Sequence, residues 1–250
     1  MSASVAADVR SVSDDDPVLR VDLKRAFRAI ERLSKDPEDI AQGFVIVDSL
    51  AGQAPLRVLS RFRQNPVGRK LLIERPSLIA KLNDRDALER LSPDSLAHEY
   101  LRVLDRNGIS ADGLKAASIE GRGSAYDERS EYMFVRDRIR DSHDLWHAVT
   151  GYRADAMGEI ALLAFTAAQL RNPGIGVLVF AALASSRELA FSKVITSAFR
   201  RGLRATWLPP VRWETLLPLP LDEVRALLGI EPYAVDPAAS SLSEQALAQA

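Results

Sequence analysis

The sequence predicts an all-α fold, one multi-helix domain with a metal site between two antiparallel helices. Three observations lead there. Asp-Pro and Ser-Pro pairs recur just ahead of apolar series at helical spacing. Strand-like alternation is weak nearly everywhere, and the longest helical stretches fill the second half of the chain.

The elements follow in order. Asp16-Pro17 precedes Val18, Val21, Phe27, Ile30 and Leu33, a helical spacing. Asp36-Pro37 starts a second helix, with Asp36 as N-cap and proline at the first helical position. Short pieces around Pro55–Arg63, Val67–Arg75 and Ser77–Leu82 are separated by Pro66 and Pro76. Ser92-Pro93 repeats the starting device before Leu96, Tyr100, Val103 and Leu104, and Gly108 supplies the stop. Ile109–Ser124 reads as a loop. One helix is expected from about Asp127 to Thr150, ended by Gly151, a second from Glu159 to Leu170, and a third from Gly176 to Arg201, ended by Gly202. Pro209, Pro210, Pro218 and Pro220 then impose an extended segment before a short helix from Asp222 to Leu228.

Length and composition narrow the function. The chain has 250 residues, 47% hydrophobic and 27% charged, enough for one sizeable core. The domain is expected over 17–233, between a disordered lead-in at 1–16 and a flexible Ala/Ser-rich tail at 234–250. A formal net charge of −1 argues against nucleic-acid binding. There is no cysteine, which excludes disulfides, thiolate metal sites and a cysteine nucleophile, and fits a reducing compartment. The N-terminus lacks an apolar h-region and carries Asp14 to Asp16, so it reads as neither a secretory signal nor a transit peptide. The run from Pro173 to Ser186 is free of charge but shorter than the roughly 20 residues a bilayer requires. It reads as buried core or, alternatively, as the wall of a lipid pocket, a dimer seam or a membrane-docking surface.

The chemistry concentrates in His143-Asp144-Leu145-Trp146-His147. Positions i and i+4 stack on one helix face, so the two imidazoles point the same way and Asp144 borders them. Two imidazoles and a carboxylate in one turn make a mixed N/O ligand set for a divalent metal. Glu159 is the natural fourth ligand. On a continuous helix it would lie about 18 Å from His147, so Gly151 to Gly158 must turn the chain and bring it back. Arg138 and Arg140 are candidate partners for a substrate carboxylate; a salt-bridged helix face is the alternative for both. His98, isolated from the motif, reads as a structural or surface histidine. The pentapeptide also invites comparison with HExxH metalloproteases, but it carries Asp144 at the general-base position and no flanking protease signature.

Arg138-Ile139-Arg140-Asp141-Ser142-His143-Asp144-Leu145-Trp146-His147, eleven intervening residues and Glu159 resemble the signature of the Coq-four family of ubiquinone (coenzyme Q) biosynthesis proteins. Tyr132-Met133, Gly158-Glu159, Trp207, Val211–Glu214 and Leu221–Pro232 extend the resemblance, which covers about Glu131 to Pro232. It implies a metal held by His143, Asp144, His147 and Glu159 beside an apolar cavity suited to a polyprenyl chain. Zinc is the metal the resemblance implies, with iron, manganese or cobalt compatible with the same donors. It implies a ubiquinone-biosynthesis protein, either a metal-dependent enzyme replacing the C1 carboxylate of a polyprenylated hydroxybenzoate by a hydroxyl, or a non-catalytic lipid-binding scaffold. Other ubiquinone-biosynthesis proteins are then its partners. A homodimer is expected, in reversible peripheral contact with the cytoplasmic face of an inner membrane. Ile139 and Asp141 depart from the usual residues of the motif, and neither is a ligand.

Overall fold

The structure, a computed structural model, describes residues 16, 19–36, 39–107, 129–185 and 189–233. The lead-in before Asp16, the Gly108 stop, the Ile109–Ser124 loop and the tail from 234 lie outside the described residues. Among those described there are fourteen helices and no strand beyond one isolated bridge between Ser95 and Pro220. The fold class is all-α, in a single domain.

Side-chain oxygens start most of the helices. Asp22 caps α1 (Leu23–Lys35), accepting from the Arg25 amide, and Asp39 caps α2 (Ile40–Leu50), accepting from Gln42. After α3 (Ala54–Gln64), Asn65 accepts from Val67 and Gly68 to start α4 (Pro66–Glu74), which has proline at its first position. Ser77 and Asp84 cap α5 (Leu78–Leu82) and α6 (Arg85–Glu89). Three expected starts move. Asp39 rather than Asp36 caps α2. Ser95 rather than Ser92 accepts from His98 to open α7 (Leu96–Asn107), and Asp22 rather than Asp16 opens α1. Of the apolar residues expected to bury α1, Val21, Phe27 and Ile30 are exposed, Phe27 at 69%, while Ala26 and Ala29 face inward. Small residues let α1 approach α2 closely, so periodicity selected the wrong face.

The expected helix from Asp127 to Thr150 is two, α8 (Glu131–Asp141) and α9 (His143–Thr150). They meet at Ser142, whose hydroxyl bonds the Ile139 carbonyl at 2.9 Å, a local bond that competes with the helical ladder. α10 (Ala156–Leu170) starts three residues before Glu159, at the Asp155 cap. The expected helix from Gly176 to Arg201 is also two, α11 (Pro173–Ser185) and α12 (Leu189–Arg204). The proline-punctuated segment carries a one-turn helix, α13 (Trp213–Leu216), and α14 (Leu221–Leu228) ends at Gly229 with φ +62°.

The main core gathers Tyr100 of α7, Leu145 and Trp146 of α9, Phe165 of α10 and Trp213 of α13. A second cluster joins Phe62, Leu71, Met133 and Val135 of α3, α4 and α8. α9 is buried from Leu145 to Thr150, packed against α7 and α14. α10 runs along α12, and Gly202 does not end α12 as expected but permits that contact. A Cβ there would stand 2.5 Å from the Phe165 carbonyl oxygen. Gly202→Ala should therefore destabilise the fold by about 1–3 kcal/mol, the usual cost of overpacking, read as a lower urea midpoint. The charge-free α11 buries Gly174 and Ile175 against α2 but leaves Phe180 71% exposed. It is not simply buried core.

Candidate metal centre

His143 opens α9 and His147 follows one turn later, so both imidazoles leave the same face. The chain then reverses. Gly151, with φ +77°, ends α9 in the left-handed region that glycine adopts most readily. Asp155 caps α10 by accepting from Gly158 at 2.9 Å, which sets Glu159 in the first turn of α10. Gly158 serves the turn differently, because a Cβ there would lie 1.8 Å from the Arg153 carbonyl oxygen. One glycine is needed for its torsion and the other for its missing side chain.

The turn brings three of the predicted residues together. The His147 Nε2 lies 3.1 Å from Glu159 Oε1, and His143 Nε2 lies 3.6 Å from Glu159 Oε2. The three potential ligand atoms all fall within 4.8 Å of one another, so His143, His147 and Glu159 could hold a metal ion. The histidine rings meet edge to face at 4.8 Å.

Both outer nitrogens are already assigned. His147 Nδ1 lies 2.9 Å from the Tyr152 carbonyl oxygen. A carbonyl only accepts, so Nδ1 donates the proton and the neutral ring has a lone pair at Nε2. That Nε2 is buried and makes no hydrogen bond of its own. It faces a carboxylate oxygen that also offers only lone pairs. Two such acceptors at 3.1 Å need a proton or a cation between them. The donor set, two neutral imidazoles and one carboxylate, suits a divalent ion and leaves coordination positions open.

Asp144 is placed outside this group. Its Oδ1 lies 3.2 Å from His143 Nδ1, the side away from Glu159, where a carboxylate orients a ligand and raises its basicity. The charges agree with this arrangement. Burial opposes protonation of His143, but the bond to Asp144 and the charges of Glu159 and Asp144 prevail and raise its pKa. Burial works against ionised Asp144 as well; the bond to His143 outweighs it and holds that carboxyl below its ordinary value. Asp144→Ala should weaken metal binding about 10–100-fold, the usual cost of losing an outer-shell partner, measured by competition with a chromophoric chelator. An unchanged cobalt(II) absorption band in that variant would keep Asp144 behind His143; a changed band would put it in the ligand set.

The two arginines are already engaged. Arg138 is buried, and its guanidinium makes two 2.8 Å bonds to Glu214 and a third to the Val211 carbonyl. Arg140 bonds Asp137 at 2.7 Å and Asp141 at 2.6 Å. His98 clamps the α6–α7 turn, with Nε2 3.0 Å from the Leu91 carbonyl. Tyr152 carries no signal in the residue pattern, because it acts through its backbone carbonyl and any residue type supplies one.

Fold and site together define an all-α protein with a two-histidine, one-glutamate metal-type centre at a helix–turn–helix. The family model for the Coenzyme Q (ubiquinone) biosynthesis protein Coq4 matches residues 35–234, and the chain belongs to that family. It is 34% identical over 200 residues to the mitochondrial ubiquinone biosynthesis protein COQ4 of Clavispora lusitaniae, covering 78% of this chain and 60% of that protein. The Aspergillus flavus counterpart is 34% identical over 178 residues, covering 70% of this chain and 60% of its own length. The chain thus spans little more than half the length of the curated relatives it matches. A crystal structure of a candidate ubiquinone biosynthesis protein from Nostoc punctiforme shares the fold, with a TM-score of 0.62 and 21% identity over 84% of this chain and 99% of that one.

Proposed function

We propose that this chain acts in ubiquinone biosynthesis as a metal-dependent enzyme that replaces the C1 carboxylate of a polyprenylated hydroxybenzoate by a hydroxyl. The observation that carries the reading is the buried, lone-pair-bearing Nε2 of His147 facing Glu159. A site built only to stabilise the fold would close its ligand set, whereas three protein donors leave room for substrate. A divalent ion there would supply Lewis-acid polarisation of the carboxylate and, if it is iron, manganese or cobalt rather than zinc, a route for electrons. His143, His147 and Glu159 would bind it, Asp144 would orient His143, and Tyr152 would orient His147. Arg138 and Arg140 would meet the carboxylate only by exchanging internal partners, which is harder for the buried Arg138.

Overall, the carboxylic acid, water and O2 give the phenol, CO2 and hydrogen peroxide, O2 taking up the two electrons that the ring carbon gives up. The exposed Phe27, Phe180 and Leu189 support an isoprenoid ligand, a second copy or a reversible bilayer contact at the cytoplasmic face of an inner membrane. Among the described residues no helix is long and apolar enough to cross a membrane.

The test supplies a carboxyl-labelled prenylated hydroxybenzoic acid to metal-replete protein in air. Release of labelled CO2 with formation of the C1 phenol, lost in His147→Ala, supports the enzyme. The second reading, a lipid-presenting scaffold, draws on the same exposed apolar residues. It predicts lipid occupancy and association with other pathway proteins, with no turnover.

A further inference from the structure

The carbonyl that orients His147 belongs to a turn with little regular structure of its own, between α9 and α10. One side chain from a distant helix holds that turn. Arg201 of α12 packs its guanidinium over the Tyr152 ring, 4.8 Å from the centroid, and donates at 2.9 Å to the carbonyl of Thr150. The same nitrogen bonds the Glu231 carbonyl in the segment after α14. That segment closes the arrangement. The Tyr233 amide donates to the Thr150 carbonyl at 2.9 Å, and its ring meets Tyr152 at 5.2 Å. Gly151 leaves room for it, since a Cβ at 151 would lie 3.3 Å from the Tyr233 nitrogen.

We propose that Arg201 is the positioning residue of the metal centre: by stacking on Tyr152 and bonding Thr150, it holds the Tyr152 carbonyl on His147 Nδ1 and so fixes the ring with Nε2 free to bind. The physical case is the constraint on a single acceptor. His147 presents Nε2 to the site only while Nδ1 keeps its proton, and among the described residues the Tyr152 carbonyl is the acceptor that holds that proton in place. Tyr152 lies five positions after His147, and Gly151 adds torsional freedom between them. Without an outside clamp the carbonyl swings away and the two imidazole tautomers mix. Arg201 supplies the clamp because its planar guanidinium can stack and donate at once, which lysine cannot.

Arg225 provides the internal control. It also caps the C-terminal end of α9, donating to the Val149 carbonyl at 3.0 Å and the Ala148 carbonyl at 3.2 Å, and among the described residues no hydrogen bond or ring contact ties it to Tyr152. Both arginines should support the fold. In this inference only Arg201 sets the tautomer.

The inference rests on the metal reading above, and the experiment separates the two. Nitrogen-15 NMR of the metal-free protein reports which His147 nitrogen carries the proton, and chelator competition reports zinc or cobalt affinity. In the wild type His147 is Nδ1-protonated. In Arg201→Ala and in Tyr152→Leu, which keeps the carbonyl but removes the ring Arg201 rests on, the tautomers mix and affinity falls about tenfold. Arg225→Ala keeps the wild-type tautomer and affinity while lowering the melting temperature. If Arg201→Ala does not fold, Tyr152→Leu carries the test. A retained Nδ1 proton with unchanged affinity in the Arg201 and Tyr152 variants overturns the proposal, as does an equal loss in Arg225→Ala. Mixing of tautomers in a protein that binds no metal upholds the positioning role and overturns the metal reading instead.

Discussion

A His147→Ala chain is expected to lose stoichiometric metal binding while keeping its helices. In metal-replete preparations elemental analysis should fall from about one divalent ion per chain to near none. The reason is the position of the atom removed. His147 is fully buried and its Nε2 is the inner donor, 3.1 Å from Glu159, whereas His143 is partly exposed and stands farther off at 3.6 Å. Loss of the inner donor leaves one imidazole and one carboxylate, too few to compete with water for a divalent ion. The effect should exceed the roughly 10–100-fold assigned to Asp144, which only supports a ligand. Any turnover should disappear with the metal. Full metal content in His147→Ala would place the binding site elsewhere and remove the ground for the enzymatic reading.

Glu214→Ala is expected to produce the largest loss of stability. Arg138 is almost wholly buried, and Glu214 satisfies both ends of its guanidinium from α13, with little exposure on either side. Removing the carboxylate leaves a charge in the interior with only the Val211 carbonyl as partner. Breaking such a buried pair costs about 3–5 kcal/mol, and for a chain of this size that corresponds to a melting temperature lower by roughly 10 °C. The double replacement Arg138→Met/Glu214→Leu should recover much of the loss, because no charge is then stranded.

The same pair gives stability a pH dependence of definite sign. Burial raises the Glu214 carboxyl pKa, but the bond to Arg138 and its charge outweigh burial and hold it below the ordinary value. A depressed folded pKa contributes stability above the unfolded value, about 4.3, and loses it as the pH falls through the folded value. Urea midpoints should therefore decline more steeply below about pH 4.3 in the wild type than in Glu214→Gln, which has no carboxylate to protonate.

Arg138 also shows where sequence reading stopped. From position alone it flanked the histidine motif as plausibly as Arg140, and both were candidates for a substrate carboxylate. Neither residue type nor spacing reveals that Glu214, seventy-six residues away, lies across from it. Asp144 is a similar case. A helix places it beside His143 and His147, but whether its carboxylate faces the ion or the back of an imidazole depends on rotamers set by tertiary packing.

The helices themselves were more legible. Capping acts through the nearest few backbone amides, so residue type signalled starts nearby, but packing chose Asp22, Asp39 and Ser95 over the expected Asp16, Asp36 and Ser92. Local signals failed where a bond within one turn broke a long periodic run, as at Ser142. They failed again where a glycine marked a close approach of two helices rather than an end, as Gly202 does.

The all-α class, the placement of His143 and His147 on one helix face and the need for a turn returning Glu159 to them are all written in the residue order. Those features depend on helical periodicity and on residues within one turn of each other. Packing between distant parts of the chain sets Asp144 against His143 Nδ1, Glu214 against Arg138, and the Tyr152 carbonyl against His147 Nδ1. Each of these depends on where a side chain or a carbonyl is held by distant parts of the chain, and residue spacing carries no record of that.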